Sequence, residues 1–131
     1  MLKVPSPLTE AEEALVEATI GCCIAVHRAL GPGLSENIYS RAIALELKAA
    51  SIAFEREKPY QVLYRDELLC EQYLDFVVAD VLVLEIKSVE HFATIHHSQL
   101  LSYMRLSKLR VGLLINFNVV VLKNGIRRKV L

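Results

Sequence analysis

Asp75-Phe76-Val77-Val78-Ala79-Asp80-Val81-Leu82-Val83-Leu84-Glu85-Ile86-Lys87 decides how this chain folds. The runs on either side of Asp80, Phe76 to Ala79 and Val81 to Leu84, are apolar at every position, as in strands covered on both faces. They predict a central hairpin. If its turn is Ala79-Asp80-Val81, positions 75 and 85 stand opposite each other, each five residues from Asp80. Paired carboxylates with Cβ atoms roughly 5 Å apart repel unless a positive charge sits between them. Lys87, two residues beyond Glu85, shares that residue's face. A two-residue turn would instead send Asp75 to the face opposite Glu85.

Three charges in an apolar sheet need an explanation, because buried ionised groups are costly unless they are paired or bind metal. One account is a structural Asp, Glu and Lys ion-pair network. The other is a divalent cation held between Asp75 and Glu85, for which all-oxygen ligands suit a hard ion such as Mg²⁺ or Mn²⁺.

Working outward, Thr9 and Glu12 read as a capping box. Leu15, Ala18, Cys22, Ala25, Val26 and Leu30 then recur at helical spacing up to Gly31-Pro32-Gly33. Ser35 caps a second helix with an Ile38, Ala42, Leu45, Ala49 stripe beside one of Glu36, Tyr39 and Ile43. From Phe54 the period becomes two, through Tyr60, Val62 and Tyr64, across Arg65-Asp66-Glu67, to Leu68 and Cys70; Pro59 marks an exposed edge. A third helix is predicted from about His91 to Leu106, followed by an apolar strand at Val111 to Ile115. Asn124-Gly125 then signals a two-residue hairpin turning Val119 to Leu122 onto Ile126 to Leu131. No linker or repeat interrupts this pattern. The expectation is one α/β domain over residues 1–131, order ααβββαββ, with a central sheet flanked by helices.

Composition sets limits on partners. With 53% apolar residues the chain can bury a core, and fifteen Lys and Arg against fifteen Asp and Glu leave no net charge to attract a polyanion from a distance. Arg127, Arg128 and Lys129, like Arg105, Lys108 and Arg110, read first as solvated surface, with contact to a nucleic-acid backbone as the lesser alternative. The beginning of the sequence lacks a signal-peptide pattern and no apolar run reaches the roughly 20 residues that span a bilayer. Three cysteines form neither a disulfide framework nor a metal-ligand pattern, and Cys22 and Cys23 read as small core residues. A soluble cytoplasmic protein is expected.

Further candidates gather by helical spacing. Glu36 lies in the first turn of the second helix, where the dipole favours an acid, with Tyr39 one turn on. Gln99 and Tyr103 are neighbours on the third helix, in line with His96 and Phe92. His96 and His97 have no Cys or His partner at ligand spacing, so hydrogen-bonded or exposed imidazoles are expected rather than zinc ligands.

Gly33-Leu34-Ser35-Glu36-Asn37-Ile38-Tyr39 resembles the signature of the GxxExxY proteins, members of the PD-(D/E)xK nuclease-like superfamily. The similarity continues through Phe54-Glu55-Arg56-Glu57, Asp75 with Glu85-Ile86-Lys87, Gln99 to Tyr103, and Gly112 to Phe117. Leu74 stands where the superfamily's name places a proline, a variable position. The resemblance implies a restriction-endonuclease-like core in which Asp75, Glu85 and the Ile86 carbonyl hold Mg²⁺ or Mn²⁺. It implies that Glu36 completes the acidic cluster, that Lys87 orients or activates the attacking water, and that Gln99 and Tyr103 line the site; Tyr39, one turn from Glu36 on the same helix face, is a further candidate to line it. The implied activity is hydrolysis of phosphodiesters in nucleic acid, DNA first. The rival is a catalytically silent module of the same fold that binds nucleic acid or a protein. A homodimer through the C-terminal hairpin is compatible with either.

Overall fold

A computed structural model describes residues 6–131 of the protein. Helix α1 (Glu10–Leu30) starts at the expected capping box: the Thr9 hydroxyl accepts from the Glu12 amide at 3.1 Å, and the Thr9 amide donates to Glu12 Oε1 at 2.9 Å. It ends at Gly31, whose φ of 68° no β-carbon favours. Helix α2 (Glu36–Ala49) follows, capped at Ser35 without a side-chain hydrogen bond.

The buried faces of both helices are rotated from those expected. On α1 the inward residues are Val16, Thr19, Cys22, Cys23, Val26 and His27, while Ala18, Ala25 and Leu30 face solvent. On α2 they are Tyr39, Ile43, Ala44 and Leu47; Leu45 is 68% and Ile38 43% exposed. Tyr39 sets the rotation of α2 because its ring stacks on Phe117, centroids 4.6 Å apart, and its hydroxyl is bonded at both ends of the loop that precedes the helix.

Five strands form one mixed sheet in the order β1-β2-β3-β4-β5: β1 (Phe54–Tyr64), β2 (Glu67–Val78), β3 (Leu82–Lys87), β4 (Val111–Asn116) and β5 (Ile126–Val130). All neighbours are antiparallel except β3 and β4, which are parallel and joined across one face by α3 (Thr94–Ser107). β1, with Pro59, is an edge strand as predicted. Two cores result. Phe76, Val78, Leu82, Leu84, Ile86, Leu113 and Ile115 pack beneath α1 and α2; Leu74, Val77, Val83 and Leu114 pack beneath Leu100 and Met104 of α3. No described helix is long and apolar enough to cross a membrane.

The β1/β2 turn is the two residues Arg65 and Asp66, with φ of 51° and 65°, the type I′ signature that suits strand twist. The central turn has the predicted three residues, so Phe76 pairs with Leu84 and Val78 with Leu82. Helix α3 begins later than expected, since His96 Nδ1 accepts from the Ala93 amide at 3.0 Å and fixes the start there.

The Asn124-Gly125 hairpin is not formed. Leu122–Gly125 is a 3₁₀ turn, Val119 to Leu122 make no strand, and β5 pairs with β4 alone, so the hairpin suggested as a dimer face is absent. Gly125 is needed for close approach rather than for positive φ, because a β-carbon there would lie 2.3 Å from the Asn116 carbonyl oxygen. Gly125→Ala is therefore expected to destabilise the protein by roughly 1–3 kcal/mol through overpacking against backbone. Urea unfolding of the variant checks this, and an unchanged midpoint would contradict it.

A candidate metal centre at a split in the sheet

The β2/β3 ladder reaches Phe76 and Leu84 and then gives way to side chains. The Asp75 amide donates to Glu85 Oε1 at 3.0 Å, and the Ile86 amide donates to Asp75 Oδ2 at 2.8 Å. Carboxylate oxygens rather than carbonyls accept these two amides, and the regular pairing of β2 with β3 stops at the pair. The other side of β2 is interrupted too. Arg56 pairs with Phe76 and Lys58 with Leu74, but Glu57, between them, has a φ of 51°, unusual for a residue with a β-carbon. The alternation of β2 slips here. Leu74 and Val77 both enter the α3-side core, with Phe76 between them on the other face.

Alternation along β3 places Glu85 with Val83 on the α3 side, and Lys87 beyond it. Glu85 is only 5% exposed. Burial, and then the charge of Asp75, push its carboxyl well above the usual carboxylate range, against the opposing pull of the Asp75 amide and of Lys87. The same two acids reach Tyr103. Burial first, then Glu85 and Asp75, raise its phenol, and Gln72 Nε2 donates to its hydroxyl at 3.3 Å. Lys87 is half-buried and forms no ion pair within 4 Å among the described residues.

On the α2 side, Glu36, Asn37, Ser40, Glu57, Asp75 and Ile86 line an open polar cavity of about 180 Å³. Glu36 therefore shares a cavity with Asp75. It does not complete a cluster, because no three His, Cys, Asp or Glu side chains among the described residues converge to hold a metal. Gln99 is half-buried one turn before Tyr103, and its side chain makes no hydrogen bond among the described residues. Tyr39 does not line the site. It is fully buried on Phe117; its hydroxyl donates to the Gly31 carbonyl and accepts from the Leu34 amide at 3.1 Å, which leaves it nothing to offer a substrate.

Three contributors escaped the sequence reading. Glu57 sits in the cavity only because of its left-handed backbone, which no residue pattern announces. Gln72 lies in an exposed ribbon, with no sequence signal that it meets Tyr103. Asn116 had a signal, a polar residue closing an apolar strand. It pairs with Lys87 in the parallel ladder, is 3% exposed, accepts from the Val89 and Asn118 amides at 3.1 Å and donates to the Val89 carbonyl at 2.8 Å. That ties down the chain leaving Lys87. Ser88 Oγ, donating to the Leu34 carbonyl at 2.7 Å, ties the same segment to the loop before Glu36.

The donor set suits a hard divalent cation. Asp75 and Glu85 supply carboxylate oxygens, and because N–H and C=O of one strand residue share an edge, the Ile86 carbonyl lies on the edge where its amide meets Asp75. The unfavourable ionisation of Glu85 beside Asp75 is what a cation would relieve.

A family model described as the PD-(D/E)XK nuclease superfamily matches residues 13–129. No curated protein and no solved structure matches the chain. The match spans every strand and helix except the first three residues of α1 and the last of β5, including both carboxylates and the lysine that follow the superfamily's acid, acid-x-lysine order. The chain belongs to the PD-(D/E)XK nuclease superfamily.

Proposed function

We propose that this protein is a nuclease dependent on Mg²⁺ or Mn²⁺ that hydrolyses phosphodiester bonds, with DNA as substrate. The observation that carries this reading is the crosswise bonding of Asp75 and Glu85 at the point where β2 and β3 part. A structural ion-pair network would bring Lys87 onto a carboxylate, and it is held off both. We also assign the chain to the GxxExxY group, on the Gly33 to Tyr39 block. That block is supported by a positive φ at Gly33 and by the Tyr39 hydroxyl that fastens the loop and so positions Glu36.

In this reading Asp75, Glu85 and the Ile86 carbonyl hold the ion, which supplies Lewis-acid polarisation of the phosphodiester and acidification of water. Lys87 keeps its ammonium free to orient the attacking water and to offset charge that develops on the pentacovalent phosphorus. Tyr103, kept protonated by burial and then by its acidic neighbours and steadied by Gln72, is placed to donate to a phosphate oxygen, with Gln99 beside it. Glu36 and Glu57 face the cavity behind Asp75, where they order water rather than bind the ion directly.

The test is cleavage of labelled single- and double-stranded DNA and RNA with Mg²⁺, Mn²⁺ or EDTA. Expected is metal-dependent cleavage of DNA that falls at least about 100-fold in Asp75→Asn. Cleavage that survives EDTA, or none on any substrate, would remove the nuclease assignment.

A further inference from the structure

The zero net charge conceals a segregation along the chain. All fifteen acids lie at or before Glu90; residues 91–131 contain none, yet carry seven Lys or Arg and three His. Those residues make α3, β4 and β5, so one end of the sheet and the helix over it are purely cationic.

The fold then sorts these cations by face. Glu85 pairs with Leu114, and Leu114 with Arg127, so all three side chains share one row and one face of the sheet. In the same way Val83, Gly112 and Lys129 form the adjacent row. Arg127 and Lys129 thus lie on the α3 face, two strand spacings or roughly 10 Å from the carboxylate pair. Arg128, between them, points the other way and is bound to Glu13 of α1 at 2.9 Å. Arg110 likewise meets Glu12 at 3.8 Å and the Pro7 carbonyl. Arg127 and Lys129 have no acidic partner among the described residues.

The α3 end of this face is assembled rather than incidental. Arg127 lies over the Phe92 ring at 5.3 Å, with Nη1 held by the Asn124 and Ile126 carbonyls at 3.1 and 2.9 Å. The edge-on rings of His96 and His97 complete the group, 6.3 and 5.6 Å from Phe92. His97 Nδ1 is buried with no hydrogen-bond partner among the described residues, and burial followed by Lys129 and Arg127 holds its imidazole below the usual range. Cations crowded without a counter-charge favour an anion that arrives with the substrate.

We propose that His97, Arg127 and Lys129, at the N-terminal end of α3, form a second contact for the phosphate backbone of nucleic acid. They would grip the strand on the far flank of α3 from Tyr103, a few nucleotides from the carboxylate pair. About 10 Å corresponds to roughly three nucleotides of rise along one strand. The proposal rests on the nuclease reading for the choice of nucleic acid over other polyanions.

The experiment measures binding, so its outcome is separable from that of cleavage. Fluorescence anisotropy of a labelled DNA oligonucleotide is recorded against salt for the Asp75→Asn protein, which should not cut it, and for the same protein carrying Arg127→Ala and Lys129→Ala. The pair of changes should weaken binding at least about tenfold and reduce the slope of log affinity against log salt by about 1.5–2, as expected when two phosphate contacts are lost. Arg128→Ala, whose partner is Glu13, should shift affinity less than about twofold. Arg127→Gln and Lys129→Gln, each checked for an unchanged melting temperature, give the same answer if the double variant folds poorly. An unchanged slope, an equal effect of Arg128→Ala, or binding to phosphatidylglycerol vesicles with none to DNA would overturn the proposal. Salt-dependent DNA binding through these residues in a protein that cuts nothing would retain it while removing the nuclease reading.

Discussion

Lys87→Ala is expected to lower DNA cleavage by about 100-fold or more while leaving the fold and the affinity for Mn²⁺ nearly intact. The reasoning starts from what Lys87 lacks. It is half-buried and within 4 Å of no carboxylate among the described residues, so its removal orphans no ion-pair partner. Its backbone stays in place because the carbonyl accepts from the Phe117 amide at 2.8 Å and the residue pairs with Asn116. The stability change should therefore stay within about 1 kcal/mol, as for a surface substitution. What is lost is a cation two residues from Glu85, on the same face. In the proposed mechanism that charge would matter most when negative charge builds on phosphorus, and little in the ground state. Single-turnover cleavage, calorimetric titration with Mn²⁺ and a thermal melt together separate these effects. Wild-type cleavage by the variant would exclude Lys87 from the chemistry.

That lysine was legible in the sequence for a definite reason. The turn at Ala79-Asp80-Val81 has the three residues that set opposing positions in the same parity, although runs apolar on both faces would be buried equally well by a two-residue turn and so did not choose between them. That count carries the pairing only to Phe76 and Leu84; beyond them the alternation of β2 slips, and side-chain hydrogen bonds rather than the ladder bring Asp75 and Glu85 together. The Thr9 box was readable because its two hydrogen bonds involve residues three apart. Features set by distant contacts were not readable. The rotation of α2 depends on Phe117 meeting Tyr39, and the Gly125 turn depends on the Asn116 carbonyl. Glu57 was hidden by the rule that revealed the acids: strict alternation gives it no special place, and only the break in β1 brings it to the cavity. The basic residues near the end were visible as clusters, but their division between faces was not, because it depends on the pairing of β5 with β4 and on Arg128 meeting Glu13.

Glu85→Gln should abolish cleavage and yet raise the stability of the metal-free protein at about pH 8. In the fold, burial and Asp75 raise the Glu85 carboxyl, whereas in the unfolded chain it titrates in the ordinary range near 4.3. Below about pH 4 both states carry the proton and the group has no net effect. As pH rises through the ordinary range, the unfolded chain releases its proton while the folded one retains it. The unfolded state then binds fewer protons, and stability falls until pH passes the raised folded value. Glutamine removes that loss and can still accept from the Asp75 amide through its Oε1. Relief of a buried, poorly compensated ionisation is worth on the order of 2 kcal/mol, which raises the melting temperature by roughly 5 °C or more in a chain of this size. At about pH 4 the two proteins should melt together. Mn²⁺ at about a hundred times its dissociation constant should stabilise the unmodified protein by about 2.7 kcal/mol and the variant far less. Melting curves between about pH 4 and pH 9, in EDTA and in Mn²⁺, read all of these effects at once. A glutamine variant that melts lower at pH 8, or that gains as much from Mn²⁺ as its parent, would mean that the carboxylate pair is a structural hydrogen-bonding device and not a place for an ion.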